Sequence, residues 1–253
     1  MTGSKTGNMT GSNTGQRMRI VGIQKNSFVD YPGKIATVLF TPGCNFDCYY
    51  CHNRHIIEPG YTPDKEYSAE EILDFLSKRK GLLDAVVISG GEPTLQPGLK
   101  DFMLSLREAG FLVKLDTNGT KPGVIEDIIR SDAANYIAMD IKSPFYMYDA
   151  ICGVRVNKEA IAASIKVIME SGIDYEFRTT VIPQISAENI IEMAEMIRGA
   201  KSYVLQQYRK PVWAVEAEVA DIRLHKPPHT KEVLEAMASS VIGIVEKCTV
   251  RGA

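Results

Sequence analysis

Short segments rich in β-branched and aromatic residues alternate along the chain with segments whose apolar residues recur at helical spacing. This alternation restricts the fold more than any other feature, because strands joined through helices pair in parallel by right-handed crossovers. Six such units predict an α/β fold, a partial (β/α)6 TIM-like barrel, with a doubly wound open sheet as the alternative. The predicted strands are residues 36–40, 85–89, 111–116, 136–140, 175–182 and 202–208.

The helical segments between these strands have recognisable ends. Ser68 is expected to cap the first of them, with Glu71 at the capping-box position. We further expect residues 229–248 to form one long amphipathic helix that packs outside the barrel or caps its open edge. The other predicted helices span residues 68–80, 97–110, 122–131, 157–172 and 186–200, and glycines suited to a left-handed residue after a helix are Gly81, Gly110, Gly172 and Gly199.

The chain is expected to divide into three regions. Residues 1–16, MTGSKTGNMTGSNTGQ, hold too little apolar surface to offset the entropy of ordering, which predicts a disordered tail. Residues 17–210 are expected to form the barrel. Residues 211–253 then form a C-terminal extension with a helix.

The charge balance is close to neutral. Twenty-nine basic and 31 acidic residues are spread along the chain and give a formal net charge of −2, which argues against nucleic acid as a partner. No apolar run reaches the length of about 18 residues that a membrane span needs, and no secretory leader is visible. We therefore expect a cytoplasmic protein without a membrane partner.

Polar segments follow each predicted strand at its carboxyl end. A cysteine-rich segment follows the first strand, and SGGEPT, DTNG, DIK, RTTVIP and QQYR follow the other five. The carboxyl ends of parallel strands meet at one edge of the sheet, where active sites of such folds lie. The sequence therefore predicts a single site at this rim.

Three of the five cysteines, Cys44, Cys48 and Cys51, are crowded into residues 41–53, TPGCNFDCYYCHN. An odd cysteine count and an expected reducing compartment favour metal or redox chemistry over disulfides. Pro42 in this segment favours a loop, which can direct three thiols at one ligand.

Two metal sites fit three thiols. A structural zinc site normally takes four ligands, and His52 or His55 could complete it, although both lie very near Cys51. An iron–sulfur cube also normally takes four thiolates, so three would leave one iron open to a substrate or cofactor. A catalytic thiol has less support, because no base or resolving cysteine is evident. Cys152 and Cys248 match no cluster motif and are expected to be ordinary buried or partly buried thiols.

The spacing Cys-x3-Cys-x2-Cys, with Tyr50 just before the last cysteine, resembles the cluster loop of the radical S-adenosylmethionine (SAM) enzymes. The CHN that ends the segment is similar to the glycyl-radical enzyme activating enzymes of that superfamily. The resemblance implies that Cys44, Cys48 and Cys51 hold one [4Fe-4S] cluster whose open iron chelates SAM and releases a 5′-deoxyadenosyl radical. It also assigns Tyr50 and His52 to cofactor binding.

SGGEPTLQ, residues 89–96, resembles the Gly-Gly-Glu motif of the same superfamily, which receives the amino group of SAM. Paired glycines such as Gly90 and Gly91 let a backbone approach a ligand closely. The Glu92 carboxylate can accept hydrogen bonds from an ammonium group. A tight strand-to-helix turn without a ligand is the structural alternative.

LDTNG, residues 115–119, and MDIK, residues 139–142, are similar to paired segments in the activase of pyruvate formate-lyase and its relatives. The resemblance suggests a monovalent cation near the cofactor, and oxygen ligands suit a hard cation of this kind. The residues that would surround this cation are Asp116, Thr117, Met139 and Asp140.

The same resemblance implies further cofactor contacts. Asp140 and Lys142 would approach the ribose and the carboxylate of SAM, and a lysine suits a carboxylate as a point charge. Asn118 begins an Asn-Gly pair that is also a common turn. The remaining cofactor-binding residues implied are Thr117, Asn118, Arg178 and Gln206.

Residues 23–53 carry the strongest resemblance, to the activating proteins of anaerobic ribonucleoside-triphosphate reductase. It implies that the chain generates a glycyl radical on that reductase, with flavodoxin or ferredoxin as electron donor. The alternatives are an activase of the pyruvate formate-lyase type, a small-molecule radical SAM enzyme such as 7-carboxy-7-deazaguanine synthase, and a zinc-stabilised interaction module without redox activity.

Overall fold

A computed structural model of the protein describes residues 17–216 and 221–253. The predicted tail, residues 1–16, lies outside these residues. The described part contains an eight-stranded sheet whose strands follow chain order. β1 pairs antiparallel with β2, and every later pair is parallel. The strands are β1 (Gly22–Ser27), β2 (Ala36–Thr41), β3 (Ala85–Gly90), β4 (Leu112–Thr117), β5 (Tyr136–Asp140), β6 (Asp174–Val181), β7 (Tyr203–Gln207) and β8 (Cys248–Arg251).

The predicted α/β class and partial barrel are confirmed, with the six predicted strands present as β2 to β7. Alternate residues of β3 face two different cores. Val86 and Ile88 join the large cluster between the sheet and the helices, whereas Ala85 and Val87 join a small inner cluster with Val38. Parallel strands that are covered on both faces read as continuous apolar runs, which is why these segments were recognisable.

The five predicted inter-strand helices are present and shorter than predicted by a few residues at their ends. Ser68 caps α2 through the predicted capping box with Glu71, and the four predicted glycines all have positive φ. No helix of the described residues is long and apolar enough to span a bilayer. The helices are α1 (Arg54–Ile57), α2 (Ala69–Ser77), α3 (Leu99–Glu108), α4 (Pro122–Arg130), α5 (Tyr148–Cys152), α6 (Lys158–Glu170), α7 (Ala187–Met196), α8 (Val212–Glu216) and α9 (Lys231–Ser240).

The prediction of one helix over residues 229–248 is wrong. Helix α9 ends at Ser240, and Gly243 has a φ of +91°, a left-handed conformation that interrupts an α-helix. Val241 and Val245 are nevertheless buried, so the apolar pattern continued into a turn that the periodicity could not distinguish from a helix. The chain then forms β8, which pairs with β7 and adds an unpredicted strand to the sheet.

An ion pair inside the barrel holds the last strand. Arg251 donates two hydrogen bonds to the Glu176 carboxylate, at 2.9 and 2.7 Å. The side chain of Glu176 is 2% exposed, and the Tyr136 hydroxyl donates to it at 3.3 Å. A buried carboxylate requires such partners. β8 therefore stabilises the barrel through this ion pair as well as through the backbone pairing of its four residues.

We predict that Arg251→Met lowers the free energy of unfolding by about 3 kcal/mol, because it leaves the Glu176 carboxylate buried without its charged partner. Urea denaturation measures this loss. The matched control is Arg130→Met, which removes an exposed pair with Glu126 and is expected to cost less than about 0.5 kcal/mol. Equal losses in the two variants would contradict the assigned anchoring role.

Candidate active site

A cavity of about 390 Å³ opens at the carboxyl ends of the parallel strands. It collects the cysteine loop and the polar segments of five strands, as the sequence predicted. Met139 is the one predicted site residue that does not line it, because its side chain packs in the core between sheet and helices. The predicted residues that line the cavity are Cys44, Cys48, Tyr50, Cys51, His52, Gly90, Gly91, Glu92, Asp116, Thr117, Asn118, Asp140, Lys142, Arg178 and Gln206.

The cysteine loop connects β2 to α1 without forming a helix of its own. Gly43 has a φ of +75°, and its amide donates to the Ile56 carbonyl at 2.9 Å. The Cys51 amide donates to the Cys48 carbonyl at 3.0 Å, which closes a turn between the second and third cysteines. This path brings all three thiols to the cavity wall.

The protonation of the three thiols is set by burial and by nearby groups. Burial raises the pKa of Cys44 to about 12 and also raises that of Cys51. The pKa of Cys48 is lowered, chiefly by a hydrogen bond from the Cys152 thiol. The Lys142 ammonium opposes the rise at Cys44 and Cys51 and adds to the lowering at Cys48. Metal binding requires thiolates, and the positive charge of this lysine favours that form.

Cys152 lies beside the cysteine loop, a position that the sequence analysis missed. It was expected to be an ordinary buried thiol; it is buried, but it contacts Cys48. Its carbonyl accepts a hydrogen bond from the Asp47 amide at 2.8 Å. No spacing motif links residues 48 and 152, since only the fold of the loop after β5 brings them together.

The two glycines of the Gly-Gly-Glu segment pack against the backbone of the cysteine loop. A Cβ at Gly91 would lie 1.8 Å from the Gly43 carbonyl oxygen, and one at Gly90 would lie 2.3 Å from the Thr41 nitrogen. Both distances exclude any side chain. The Gly91 amide donates to Thr41 and the Glu92 amide donates to Gly43, each at 2.8 Å. The glycines therefore join two loops, in addition to any approach to a ligand.

Glu92 connects the same turn to the DTNG loop. Its fully buried carboxylate accepts hydrogen bonds from the Thr117 hydroxyl and from the backbone amide of Asn118, both at 2.7 Å. It also accepts from Thr94. Burial raises the pKa of Glu92, and the hydrogen bonds from Thr94, Asn118 and Thr117 oppose that rise. The carboxylate is thus occupied by donors of the protein and positions the loop that carries Asn118.

Asn118 reaches the first cysteine. The nitrogen of its side-chain amide lies 3.9 Å from the Cys44 sulfur and donates to the Asn45 side chain at 2.9 Å. Its side-chain oxygen accepts from the Thr120 amide at 3.0 Å, which fixes the orientation of the group. Hydrogen bonds to cluster sulfurs are one of the means by which proteins tune iron–sulfur sites.

A row of charged side chains crosses the cavity floor. The Asp140 carboxylate accepts from Arg178 at 2.7 Å and from Lys142 at 2.9 Å. Burial would raise the pKa of Asp140, but the charges of Arg178 and Lys142 outweigh it and hold that pKa well below its usual range. The row continues from Arg178 to Asp116, at 3.3 Å. Asp140 is therefore ionised and fixed in place.

Two of the remaining predicted residues occupy the cavity wall. The Tyr50 hydroxyl is buried and has no hydrogen-bond partner within the described residues. A buried polar group without a partner indicates room for one that is not part of the chain. His52 is an exposed residue at the cavity, and partial desolvation lowers its pKa, which favours a neutral imidazole.

Comparison with known proteins identifies this arrangement. The sequence profile of the radical SAM superfamily matches residues 38–197. A Methanocaldococcus jannaschii protein, provisionally named a glycyl-radical enzyme activating enzyme, is 35% identical over 245 residues that cover 92% of this chain and 97% of the relative. The pyruvate formate-lyase-activating enzyme of Clostridium pasteurianum is 32% identical over 73% of this chain and 78% of its own. The chain belongs to the radical SAM superfamily, in the glycyl-radical enzyme activase family.

More distant radical SAM proteins share part of the sequence or the fold. The 7-carboxy-7-deazaguanine synthase of Thermococcus kodakarensis is 26% identical over 71% of this chain and 76% of its own. SuiB of Streptococcus suis, solved with the precursor peptide SuiA, superposes with a TM-score of 0.65 at 17% identity, covering 85% of this chain. Coproporphyrinogen III oxidase of Escherichia coli gives a TM-score of 0.53 at 17% identity. This chain spans about half the length of these two structures, and the likeness shows the fold alone.

The radical SAM family implies a [4Fe-4S] cluster and SAM, and the cavity fits both. The available metal ligands are three thiols, and the side-chain amide of Asn118 can donate a hydrogen bond to one of them. The unpartnered Tyr50 hydroxyl and the partly buried Lys142 ammonium line the cavity, where a polar ligand can reach them. These groups could hold an iron–sulfur cluster at the loop and an amino acid moiety above the charged row.

The zinc alternative fits less well. Within residues 17–216 and 221–253, no three His, Cys, Asp or Glu side chains lie close enough together to hold a single metal ion. A structural zinc ion needs its four ligands around one point. An iron–sulfur cluster is bound through separate irons and accepts thiols that are further apart.

Side chains that follow β7 in the chain pack on the cysteine loop. The Trp213 indole donates to the Cys51 carbonyl at 2.8 Å, and the Arg54 guanidinium lies over its ring. Arg223 stacks on the Tyr49 ring, with 3.9 Å between guanidinium and ring centre. Trp213 and Arg223 therefore support the loop, a role that their sequence context did not indicate.

We predict that Cys44→Ala, Cys48→Ala and Cys51→Ala each abolish the brown colour and the iron content after anaerobic reconstitution, because each removes one of three thiolates. Cys152→Ala and Cys248→Ala are expected to retain both. Visible absorbance and iron analysis make the comparison. Loss of iron in Cys152→Ala or Cys248→Ala would mean that the ligand set is wrong.

We predict that Glu92→Gln retains iron but weakens SAM binding and lowers the free energy of unfolding by about 2 kcal/mol. The glutamine amide places a donor against the donors of the DTNG loop. Equilibrium dialysis and urea denaturation measure the two effects. Glu71→Gln, at the exposed cap of α2, is the matched control and is expected to change stability by less than about 0.5 kcal/mol. If Glu92→Gln changed neither SAM binding nor the free energy of unfolding, Glu92 would not be the residue that joins the two loops.

Proposed function

We propose that this chain is the activase of an anaerobic ribonucleoside-triphosphate reductase. The observation that carries the proposal is a cavity with three thiols, from Cys44, Cys48 and Cys51, beside a partly buried lysine and a fixed carboxylate. The resemblance of residues 23–53 to the activating proteins of that reductase supports this target. When bound, the reduced cluster supplies the electron that cleaves SAM to a 5′-deoxyadenosyl radical.

The three thiolates hold the cluster in this proposal, and the Asn118 amide orients the Cys44 sulfur. The loops that carry them are joined by the contact of Gly91 with Gly43 and by Glu92. The cluster is therefore fixed relative to the strand ends that bind the cofactor. Preorganisation of this kind determines how closely two reacting groups are held.

Lys142 and Asp140 bind the polar ends of SAM in this proposal. The Lys142 ammonium lies at the cavity and pairs with Asp140 at 2.9 Å, so an incoming carboxylate meets a positive charge that is already held in place. The opposite oxygen of Asp140 accepts from Arg178, which stops the carboxylate from rotating. Gln206 and Tyr50 complete the polar wall.

Apolar side chains shield the reacting carbon. Phe40, Phe46 and Ile57 line the same cavity, where they exclude water. The proposed substrate is a glycine of the partner protein, and the proposed chemistry removes a hydrogen atom from its Cα. Flavodoxin or ferredoxin supplies the electron, and the reaction takes place in the cytoplasm, because thiolate ligands persist in a reducing compartment.

A pyruvate formate-lyase is the second candidate target. The Clostridium pasteurianum activating enzyme is similar to this chain over 192 residues. That similarity supports a pyruvate formate-lyase as the target as directly as the resemblance of residues 23–53 supports the reductase. Both targets require the same cofactor machinery, so the two proposals differ only in the partner that presents the glycine.

We predict that the reduced holoenzyme with SAM produces a glycyl-radical doublet on an anaerobic ribonucleoside-triphosphate reductase, detected by electron paramagnetic resonance. Parallel samples contain a pyruvate formate-lyase, or each partner with its radical glycine changed to alanine. The Cys48→Ala enzyme is the control for the cluster. A doublet on pyruvate formate-lyase alone would establish the second candidate. Cleavage of SAM without a doublet on either partner would contradict both.

A further inference from the structure

A buried lysine that the sequence analysis did not single out begins the row of charges in the barrel. The side chain of Lys114 is 0% exposed, and its ammonium lies 3.0 Å from Oδ1 of Asp116. It also donates to the Asp30 carbonyl at 2.6 Å and lies 5.7 Å from the centre of the Tyr136 ring. The chain therefore places a fully desolvated positive charge directly against a residue expected to bind a metal cation.

The two oxygens of Asp116 both face cations of the protein. Oδ2 lies 3.3 Å from the Arg178 guanidinium and accepts from the Ser89 hydroxyl at 3.2 Å. Oδ1 is buried and lies 3.0 Å from the Lys114 ammonium, and it accepts no hydrogen bond within the described residues. Each oxygen of the Asp116 carboxylate is thus already paired with a cation of the protein.

The charge balance of the row disfavours an additional cation. Among the side chains that pair directly with Asp116 and Asp140, Lys114, Arg178 and Lys142 supply three positive charges against two negative ones. The neighbouring Glu176 carboxylate is balanced by Arg251. A metal ion at Asp116 would add a second uncompensated positive charge to a buried region. Like charges repel strongly where water does not screen them. The monovalent cation suggested by the resemblance therefore does not fit the residues present.

We infer that the Lys114 ammonium is a built-in cation at Asp116, so that this enzyme binds SAM without a monovalent metal ion. Lys114 is a positioning residue in this account. It neutralises Asp116, which precedes Thr117 and Asn118, and those residues connect to Glu92 and to Cys44. The inference rests on the cofactors of the family and not on which glycyl-radical protein is the target.

A purely structural ion pair would have a different consequence. If Lys114 only stabilises the barrel, removing its charge destabilises the protein in every salt. If it replaces a metal ion, the same removal creates a site for one, because an ammonium group and a potassium ion are similar in size and charge. A methionine side chain is shorter than lysine and leaves space at that point. A gain of potassium dependence is therefore specific to the inference.

The test compares the reconstituted wild-type enzyme and Lys114→Met in potassium, sodium and choline chloride at equal ionic strength. The melting temperature and the SAM dissociation constant are measured without any partner protein. Wild type is expected to give the same two values in all three salts. In choline, Lys114→Met is expected to melt on the order of 10 °C lower and to bind SAM more weakly. Potassium should restore most of both losses.

Two further variants serve as controls. Lys100→Met removes an exposed pair with Asp127 at 2.8 Å, and it is expected to show no difference between potassium and choline. Lys114→Met with Asp116→Asn removes the carboxylate as well, so the response to potassium should disappear.

Two results would overturn the inference: a wild-type enzyme that needs potassium or sodium to bind SAM, or a Lys114→Met enzyme that no cation restores. If Lys114→Met folds neither in choline nor in potassium, no cation has restored it, and the inference is overturned. The salt dependence of the wild-type enzyme is a separate test that does not require the variant. These measurements involve no reductase, so they are independent of a failure of the proposed target.

Discussion

The close approach of Gly91 to the carbonyl of Gly43 is the contact on which the site depends. Both loops leave the carboxyl ends of adjacent strands, and only residues without a side chain allow their backbones to hydrogen-bond at this distance. The approach fixes the cysteine loop against the turn that carries Glu92. Glu92 in turn holds the loop after β4, so hydrogen bonds join the ends of three strands.

Electrostatics inside the barrel follows from the same rigid frame. The sheet places charged residues on its inner face, where their desolvation is compensated chiefly by one another. The row from Lys114 to Lys142 keeps one positive charge in excess, which favours an anionic group over a cation at its open end. The cysteine thiols lie close enough to Lys142 for the same charge to favour their ionised form.

The sequence predicted those features that depend on local pattern. Buried strands such as residues 85–90 are continuous apolar runs, and helix ends such as Ser68 carry their own hydrogen-bonding groups, so both were recognisable. The cysteine loop was equally clear because its ligands are adjacent in the chain. Contacts between distant segments were not. The position of Cys152 beside Cys48, the hydrogen bonds from the loop after β4 to Glu92 and the pairing of β8 all arise from tertiary packing.

The indole of Trp213 lies against the backbone of Cys51, and the chain contains one tryptophan. Its fluorescence therefore reports on a single place, at the edge of the cysteine loop. An iron–sulfur cluster absorbs in the region where an indole emits, so assembly of the cluster should quench that emission. The enzyme thus carries an intrinsic optical probe for metal loading, which needs neither a label nor a partner protein.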